Sequence, residues 1–491
     1  MGGHRGSGRG SWAGYHAETN WMACVAWMDR MVYRTLLALI TTGLAAIAAD
    51  RPNFVFVFID DMGYGDLSCY GNTDVSTPNI DRLAAEGIRF EQFYVASPIC
   101  SPSRVGITTG QYPARHMIHS YLNSRERNRE RGMRDFLDPA VPAIARTFRD
   151  AGYATAHFGK WHMGGGRDVD DAPLPQAYGF DESLVSFEGL GDRILPPGGL
   201  SEQSKQLGQG TIRDVPKHEM TEIYVDRAID FIRRNQDSSF YLHVWLNDVH
   251  DRFFPKEELL AKFAKFASNP YRQQYFAVID EMDRQLGRLF REVDSLGLSD
   301  DTILVLASDN GPTAWKRYYD EGYDPPGKTN GLRGRKWSLY EGGIREPLIV
   351  RWPGTAPAGV TNSKSVVTAV DLFPTFCRLA GIPAPDVEFD GMDMSGAFQG
   401  DEPQRQQAIF WEYGREPSYL RPGLESDRSP ALAVRDGNWK LLMNPDGGGV
   451  ELYDFSSGFD ETANVADDHV DVVARLKGAL TTWWNSIPKV M

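Results

Sequence analysis

Cysteine is scarce in this sequence, with four residues among 491. So few cysteines exclude a small disulfide-stapled fold, in which bridges replace a hydrophobic core. Cys24 lies in a leading segment that we expect to be absent from the mature protein. Cys69 and Cys377 can pair in an oxidising compartment or stay reduced, and the sequence leaves both alternatives open. The fourth, Cys100, lies in a stretch that carries other chemical signals.

Positive charge is also in short supply. The chain has 52 Lys and Arg against 66 Asp and Glu, a formal net charge of −14 at pH 7. Such a surface repels nucleic acid and anionic membranes, so we expect neither as a partner. If the substrate is an anion, positive charge concentrated in a pocket must outweigh the field of the whole protein.

Long apolar runs are missing after residue 49, which argues against stable insertion in a membrane. Residues 30–48 have the pattern of a signal peptide, with Arg30 and Arg34 before a short apolar run and Ala46-Ile47-Ala48 as a cleavage site. Residues 1–29 have no periodicity and are interpreted as a non-native or disordered extension. An amphipathic or disordered extension over the whole segment is the alternative. We expect the mature protein to be exported, either to the periplasm or into the medium.

Beyond residue 50 the sequence alternates between strand-like and helix-like segments, which is typical of an α/β fold. We expect a large domain, residues 51–400, with a central, mainly parallel sheet between helices. From about residue 405 the pattern changes to short strands with turn signals between them, followed by a helix over 469–484. Residues 405–491 are therefore predicted to form a small α+β domain with a short antiparallel sheet.

Polar clusters follow four of the predicted strands of the large domain. They are Asp60 with Asp61, Lys160 with His162, His250 alone, and Asp309 with Asn310. Because ligands bind at the carboxyl edge of open α/β sheets, we expect these clusters to share one rim. Asp60 and Asp61 repel each other unless a cation lies between them, which favours a hard-metal site over a surface acidic turn.

Cys100 is predicted to lie at the N-terminus of a helix that Pro102 begins and Gly110 ends, with Ser101 or Cys100 as its cap. The positive end of the helix dipole favours an anion or a developing oxyanion there. Arg104 lies one turn further along the same face. A buried structural cysteine is the alternative interpretation.

The segment 312–343 is too long for a simple connection, which indicates a functional loop. Its basic residues Arg333, Arg335 and Lys336 stand beside glycines, and this pattern favours an anion cradle over a solvated basic turn. Aromatic residues near the predicted rim either stack on a sugar or belong to the core: Trp161, Trp315, Tyr318, Tyr319, Tyr323 and Trp337.

Taken together, these motifs resemble those of the type I sulfatases. The run Cys100-Ser101-Pro102-Ser103-Arg104 resembles their maturation signature, and the other family motifs occur in the family order: Asp60 to Asp66, Gly159 to His162, Ser308 to Gly311, and Lys336 with Glu341-Gly342-Gly343. The resemblance implies an alkaline-phosphatase-like large domain and a small C-terminal domain. It also implies that a separate maturation enzyme oxidises Cys100 to formylglycine, whose hydrate is the nucleophile.

The resemblance further implies roles for individual residues. Asp60, Asp61, Asp309 and Asn310 are expected to bind Ca²⁺, with the formylglycine from Cys100 sharing the metal. Lys160 and Lys336 are expected to neutralise sulfate oxygens, and Arg104 to orient the hydrate. His250 resembles the residue that protonates the leaving oxygen, and His162 the one that removes the proton of the remaining hydroxyl.

The expected function is hydrolysis of a sulfate ester on a carbohydrate, because the sulfatases that this chain most resembles, arylsulfatase A-like and N-acetylgalactosamine-6-sulfatase-like enzymes, largely act on sulfated sugars. Two alternatives stay open, a formylglycine-dependent phosphonate monoester or phosphodiester hydrolase and a non-catalytic binder of sulfated glycans. The surroundings of His250 depart from the Pro-His-x-Pro pattern of the family, and Asp251 either orients His250 or contacts substrate.

Overall fold

The computed structural model describes residues 1–4, 6–10, 51–199, 202–415 and 421–489. Residues 1–4 and 6–10 form no helix or strand. The predicted signal peptide, residues 30–48, and most of the predicted extension lie outside the described residues. From Arg51 onwards the chain forms one compact unit.

The central element of this unit is a mixed β-sheet. Within the described residues it has eleven strands, which in chain order are β1 (Asn53–Ile59), β2 (Ile88–Tyr94), β3 (Ala154–Lys160), β4 (Glu182–Ser186), β5 (Arg193–Leu195), β6 (Ile212–Asp214), β7 (Phe240–Leu246), β8 (Thr302–Ser308), β9 (Arg345–Arg351), β10 (Val360–Asn362) and β11 (Val367–Thr368).

The strand order is β10-β2-β9-β8-β1-β7-β3-β4-β5-β6, with β11 paired to β2. The pairs of β1 with β7 and β8, and of β3 with β7, are parallel, whereas β9 is antiparallel to both β2 and β8. The α/β prediction with a mainly parallel sheet is therefore confirmed.

Helices cover both faces of this sheet or connect its strands. They are α1 (Pro78–Ala85), α2 (Cys100–Thr109), α3 (Arg125–Glu130), α4 (Ile144–Asp150), α5 (Lys217–Arg234), α6 (Glu257–Leu260), α7 (Pro270–Ser295), α8 (Lys316–Asp320), α9 (Glu341–Ile344), α10 (Leu372–Leu379) and α11 (Ser395–Phe398).

Short 3₁₀ segments complete the connections. They are Ser68–Tyr70, Pro113–His116, Pro175–Tyr178, Glu202–Gln206, Ala261–Phe266, Ala369–Asp371 and Glu425–Asp427.

The two faces of the sheet bury separate hydrophobic cores, because alternate residues of a strand point to opposite sides. In β1, Phe54, Phe56 and Phe58 pack into one core, whereas Val55 and Val57 pack into the other. The helices α2 and α10 contribute to the first core, and α1, α5 and α7 contribute to the second. This double burial explains why β1 is apolar over its whole length.

The question of a Cys69–Cys377 disulfide is answered by these two cores. Cys377 is buried in the first core, and Cys69 packs against the second, on the opposite face of the sheet. Both cysteines are free thiols, as is Cys100.

A second, antiparallel sheet follows in the C-terminal part. Its strands are β12 (Ile409–Glu412), β13 (Leu432–Asp436), β14 (Trp439–Met443) and β15 (Glu451–Asp454), in that order, and helix α12 (Val470–Ser486) packs on it. Trp411 from β12 instead enters the first core of the large sheet, and its indole donates a hydrogen bond to the carbonyl of Val95 at 2.8 Å. The predicted small sheet is confirmed, while the exact boundary at residues 400–405 stays a prediction.

Among the described residues, no helix has both the length and the apolar character that crossing a membrane requires.

Candidate active site

The polar clusters that follow the strands meet at one edge of the large sheet. Strands β8, β1, β7 and β3 are direct neighbours and run in the same direction, so their carboxyl ends lie side by side. Asp309 and Asn310 follow β8, Asp60 and Asp61 follow β1, His250 lies just beyond β7, and Lys160 ends β3. The order of these four strands explains how Asp61 and Asn310, which are 249 positions apart, come into contact.

Two lysines neutralise the paired aspartates at this edge. The Lys160 ammonium lies 2.6 Å from Asp60 Oδ2, and the Lys336 ammonium lies 2.5 and 2.7 Å from the two oxygens of Asp61. All four side chains are at most 3 % exposed. Each lysine therefore brings a buried positive charge to the same small volume.

Arg104 forms the third buried ion pair, at 2.7 Å from Asp309 Oδ2. The same guanidinium lies 3.6 Å from Asp60 Oδ1 and donates to the carbonyl of Lys160 at 3.3 Å. The other oxygen of Asp309 accepts the backbone N–H of Asp61 at 3.0 Å. Helix α2, which carries Arg104, is thereby fastened to three of the four strand ends.

The acidic cluster still has unused oxygens. Asp60 Oδ1 and Asn310 Oδ1 are buried and accept no hydrogen bond from any described group, although Asn310 Nδ2 donates to Asp61 Oδ1 at 2.8 Å. Burial raises the pKa of Asp309 to about 7 and raises the pKa of Asp61 despite Lys336. The pKa of Asp60 is lowered well below its usual range because Lys160 and other cations outweigh its burial. Buried oxygen atoms that accept no hydrogen bond fit a hard cation.

The sequence interpretation did not include His250 among the candidate metal ligands. Single ligand atoms of Asp60, Asp61 and His250 lie within 4.8 Å of one another. The sequence grouped Asp60 and Asp61 with Cys100, Asp309 and Asn310 instead.

Cys100 is the first residue of α2 and is 2 % exposed. The predicted cap is wrong, because Ile99 holds the N-cap position, whereas Gly110 ends the helix in the left-handed conformation with φ 65° as expected. Burial raises the pKa of the Cys100 thiol, and the charges of Lys160 and Lys336 act in the opposite direction. The thiol is thus neutral at pH 7, close to both lysines.

Both catalytic-site histidines contact the Phe187 ring, His162 at a centroid distance of 4.6 Å and His250 at 5.8 Å. His250 Nδ1 is 2.6 Å from the carbonyl of Asp251 and therefore carries the hydrogen, which leaves Nε2 facing Asp61 Oδ2 at 3.9 Å. In His162, Nε2 lies 3.4 Å from the carbonyl of Leu122, and Nδ1 is buried with no hydrogen-bond partner among the described residues. Burial holds the pKa of both imidazoles well below the usual value. Both rings are neutral at pH 7.

A cavity of about 320 Å³ opens over this cluster. Of the predicted site residues, Asp60, Lys160 and His250 line it, and the others lie buried below. Trp315 and Asp251, which the sequence analysis also named, belong to the lining as well. The other lining residues were not predicted to be functional: Phe187, Pro196, Pro197, Gly198, Gly199, Lys217, Asn247, Arg252, Phe254 and Arg317. Among the lining residues that were not predicted, Asn247 and Arg252 have a signal in the sequence, because they share the segment of His250.

The six predicted aromatic contacts separate into three groups. Tyr319 and Tyr323 are half-buried and do not line the cavity. Trp161, Trp337 and Tyr318 are at most 2 % exposed and belong to the cores. Trp315 lines the cavity, where its ring meets Trp337 edge to face at a centroid distance of 5.1 Å. One of the six aromatic residues is therefore placed to contact a ligand in this cavity.

None of the three basic residues in the long loop lines the active-site cavity, so a cradle formed by all three stays a prediction. Arg333 stacks on the Tyr340 ring and donates to Tyr453, and Arg335 donates to the carbonyls of Thr313 and Gly327. These contacts fasten the loop, and only Lys336 enters the site.

Comparison with known proteins identifies the family. The family model "Sulfatase" matches residues 52–382, and the model "N-sulphoglucosamine sulphohydrolase, C-terminal" matches residues 333–485. Human arylsulfatase A is 31 % identical over 83 % of this chain and 77 % of its own length. An N-acetylgalactosamine-6-O-sulfatase from Bacteroides thetaiotaomicron is 29 % identical over 88 % of this chain and 93 % of its own.

A solved structure also resembles this chain in fold. The crystal structure of Ps i-CgsB in complex with k-i-k-neocarrahexaose has a TM-score of 0.73 and 27 % identity, covering 89 % of this chain and 94 % of that one. With its alkaline-phosphatase-like fold and its separate small sheet, the chain belongs to the sulfatase family and is a sulfuric ester hydrolase.

Proposed function

We propose that this sulfatase removes sulfate from a carbohydrate, with a formylglycine made from Cys100 and a Ca²⁺ ion in its active site. The observation that carries the proposal is the buried cluster in which Lys160 and Lys336 lie beside Cys100 and around acidic groups with unused oxygens. Two relatives support the substrate class, since one is named for N-acetylgalactosamine and the other is bound to a neocarrahexaose.

The residues that would hold Ca²⁺ are Asp60, Asp61, Asp309 and Asn310, together with the modified Cys100. Their oxygens suit a hard cation, and the free Asp60 Oδ1 and Asn310 Oδ1 support this assignment. When present, the formylglycine hydrate supplies the attacking oxygen and Ca²⁺ polarises the sulfate oxygens.

In this proposal Lys160 and Lys336 bind the sulfate oxygens from two sides. Both ammonium groups are buried, where fixed charges act on a transition state more strongly than they do in water. Arg104 pairs with Asp309 and also lies near Asp60, so it fixes the position of these acidic residues relative to helix α2. The helix N-terminus at Cys100 adds a partial positive charge on the same side.

The proton transfers fall to the two histidines. His250 lines the cavity, so its imidazole can reach the leaving oxygen of the carbohydrate once Nε2 is protonated. His162 is buried and neutral with one ring nitrogen unpartnered, which suits a base that removes a proton from a buried hydroxyl.

Maturation has to precede folding in this proposal. Cys100 is 2 % exposed and its helix is packed on the sheet, so a separate enzyme reaches the thiol only in the unfolded chain. Export through the predicted signal peptide at residues 30–48 is consistent with modification of an unfolded chain.

The test combines mass spectrometry with turnover. The Cys100 peptide from protein made in its own host should have the mass of an aldehyde in place of the thiol, and the protein should release sulfate from glycan sulfates. The C100A variant should release none, while C69A, the matched cysteine control, should retain activity because Cys69 lies on the other side of the fold. Faster hydrolysis of an aryl phosphate diester than of any sulfate ester would overturn the proposal.

A further inference from the structure

The cavity above the catalytic cluster is lined by more cations than carboxylates. Its charged lining consists of Asp60, Asp251, Lys160, Lys217, Arg252 and Arg317, with His250 neutral. Two carboxylates thus face four cations in a chain whose net charge is −14. This local excess is what an anionic ligand requires in order to overcome the field of the whole protein.

Most of these charges already have partners. Lys160 pairs with Asp60 at 2.6 Å. The carboxylate of Asp251 accepts hydrogen bonds from Arg317 and from the Tyr318 hydroxyl, at its two oxygens. These contacts leave neither acid available for a further cation of the lining.

Arg252 differs from the other cations of this lining because its side chain has no such contact among the described residues. Its side chain is exposed and makes no hydrogen bond, ion pair or ring contact within the part of the chain that the structure describes. A guanidinium that lines a cavity without a carboxylate beside it presents a free donor fork to whatever enters.

The backbone that carries Arg252 is held in place. The Lys217 ammonium, at the start of α5, donates to the carbonyls of His250 and Arg252. The same clamp thereby sets the position of the catalytic histidine and of the arginine two residues later. The distance between their backbones is fixed, while the Arg252 side chain remains free to reach a ligand.

Apolar surfaces lie beside this free cation. Phe254 is 53 % exposed and lines the same cavity, as does Trp315. Aromatic faces of this kind suit the C–H faces of a sugar ring. The cavity therefore combines a place for a ring with a second point of positive charge.

We propose that Arg252 binds a second anionic group of the carbohydrate, a sulfate or a carboxylate, while the scissile sulfate lies between Lys160 and Lys336. This inference rests on the proposed function and narrows it to sugars that carry two negative charges. Arg252 is a specificity-determining residue here, because its planar donor fork matches both kinds of anion.

The test compares three substrates in which the sulfate ester to be hydrolysed is the same. They are a hexosamine with one sulfate ester, the same sugar with two, and a disaccharide that joins the monosulfated hexosamine to a uronate. The wild type should show a kcat/KM at least about tenfold higher for one of the dianionic sugars, and the preferred one identifies the second group as sulfate or carboxylate.

The variant R252Q should remove this preference. Its kcat/KM should fall about tenfold for the dianionic sugar, mainly through KM, and change less than about twofold for the monosulfated one, with a loss that shrinks at high salt. R252K should recover part of the affinity. The control R227Q, on the exposed side of α5 and outside this cavity, should resemble the wild type.

Equal losses of R252Q on all three sugars, or a wild type without preference, would overturn the inference. If the matured wild type releases no sulfate at all, the proposed function fails, and calorimetry with C100A decides the role of Arg252 separately. Tighter binding of a dianionic sugar that is lost in the R252Q background supports the inference, and equal affinities contradict it.

Discussion

Replacement of Lys440 by methionine should destabilise the fold at the contact between the two sheets. The Lys440 ammonium lies 2.8 Å from both Glu341 Oε1 and Glu461 Oε1, and all three side chains are fully buried. Glu461 also accepts the backbone N–H of Glu341 at 2.6 Å. Glu341 begins α9, shortly after Lys336, so this cluster joins the C-terminal sheet to the loop of the active site.

The size of the loss in the free energy of unfolding follows from the charge that remains after the substitution. Methionine fills most of the lysine volume but leaves two carboxyl groups in the protein interior without their shared cation. Removing one partner of a buried ion pair costs about 3–5 kcal/mol. For the folded unit Arg51–Met491, an unfolding entropy of about 2.1 cal/mol/K per residue gives about 0.9 kcal/mol/K, so Tm should fall by about 3–5 °C.

Scanning calorimetry at pH 8 measures this shift. The matched control is K477M in α12, where the half-buried lysine donates to the carbonyl of Gly447 and pairs with no carboxylate among the described residues. Its Tm should change by less than about 1 °C. The double variant K440M/E461Q should recover about half of the loss, since one buried charge is removed with the lysine. If K440M were as stable as K477M, the conclusion that the Lys440 cluster stabilises the contact between the two sheets would be refuted.

The remaining predictions concern the active site and the pH dependence. C100A should abolish sulfate release and leave Tm nearly unchanged, because one small buried side chain is shortened; a large loss of Tm would contradict this. D309A should lower the bound calcium measured by elemental analysis and also cost about 3–5 kcal/mol of stability, because Arg104 loses its partner at 2.7 Å; unchanged calcium content would refute it. Burial raises the pKa of Glu461 to about 7 from 4.5, so its protonated form stabilises the fold at low pH and this contribution disappears as the pH rises through 7. The Tm of E461Q relative to the wild type should therefore rise between pH 5 and pH 8, and a constant difference would contradict the assignment.

The sequence predicts the edge of the sheet that holds the site because two simple physical rules apply there. A strand buried on both faces is apolar throughout, so the first polar residues after β1 and β8 mark the ends of these strands. Parallel strands then bring their carboxyl ends to one edge. Asp60, Asp61, Asp309 and Asn310 are placed in this way without knowledge of the strand order.

The direction of β9 and the destinations of the basic loop residues do not follow from local sequence. The apolar pattern of β9 is the same for a parallel and an antiparallel strand, and its pairing with β8 depends on where the loop returns. Similarly, Arg333, Arg335 and Lys336 have equal charge and neighbouring positions. Their partners are Tyr453, the carbonyl of Gly327 and Asp61, and these lie in the C-terminal sheet, in the same loop and after β1.

The segment around His250 shows why motif comparison reaches its limit at the substrate. Asp251 was expected to orient His250 or to contact substrate, but its carboxylate is bound by Arg317 and Tyr318, and only its carbonyl contacts the imidazole. The support of the segment comes from Lys217, which is 33 residues away from His250. Residues that support a segment from elsewhere can change without altering Lys160, Lys336 or Cys100. Substrate choice can therefore depend on residues other than the reacting groups, and Arg252 is the residue that we propose for this role in the present chain.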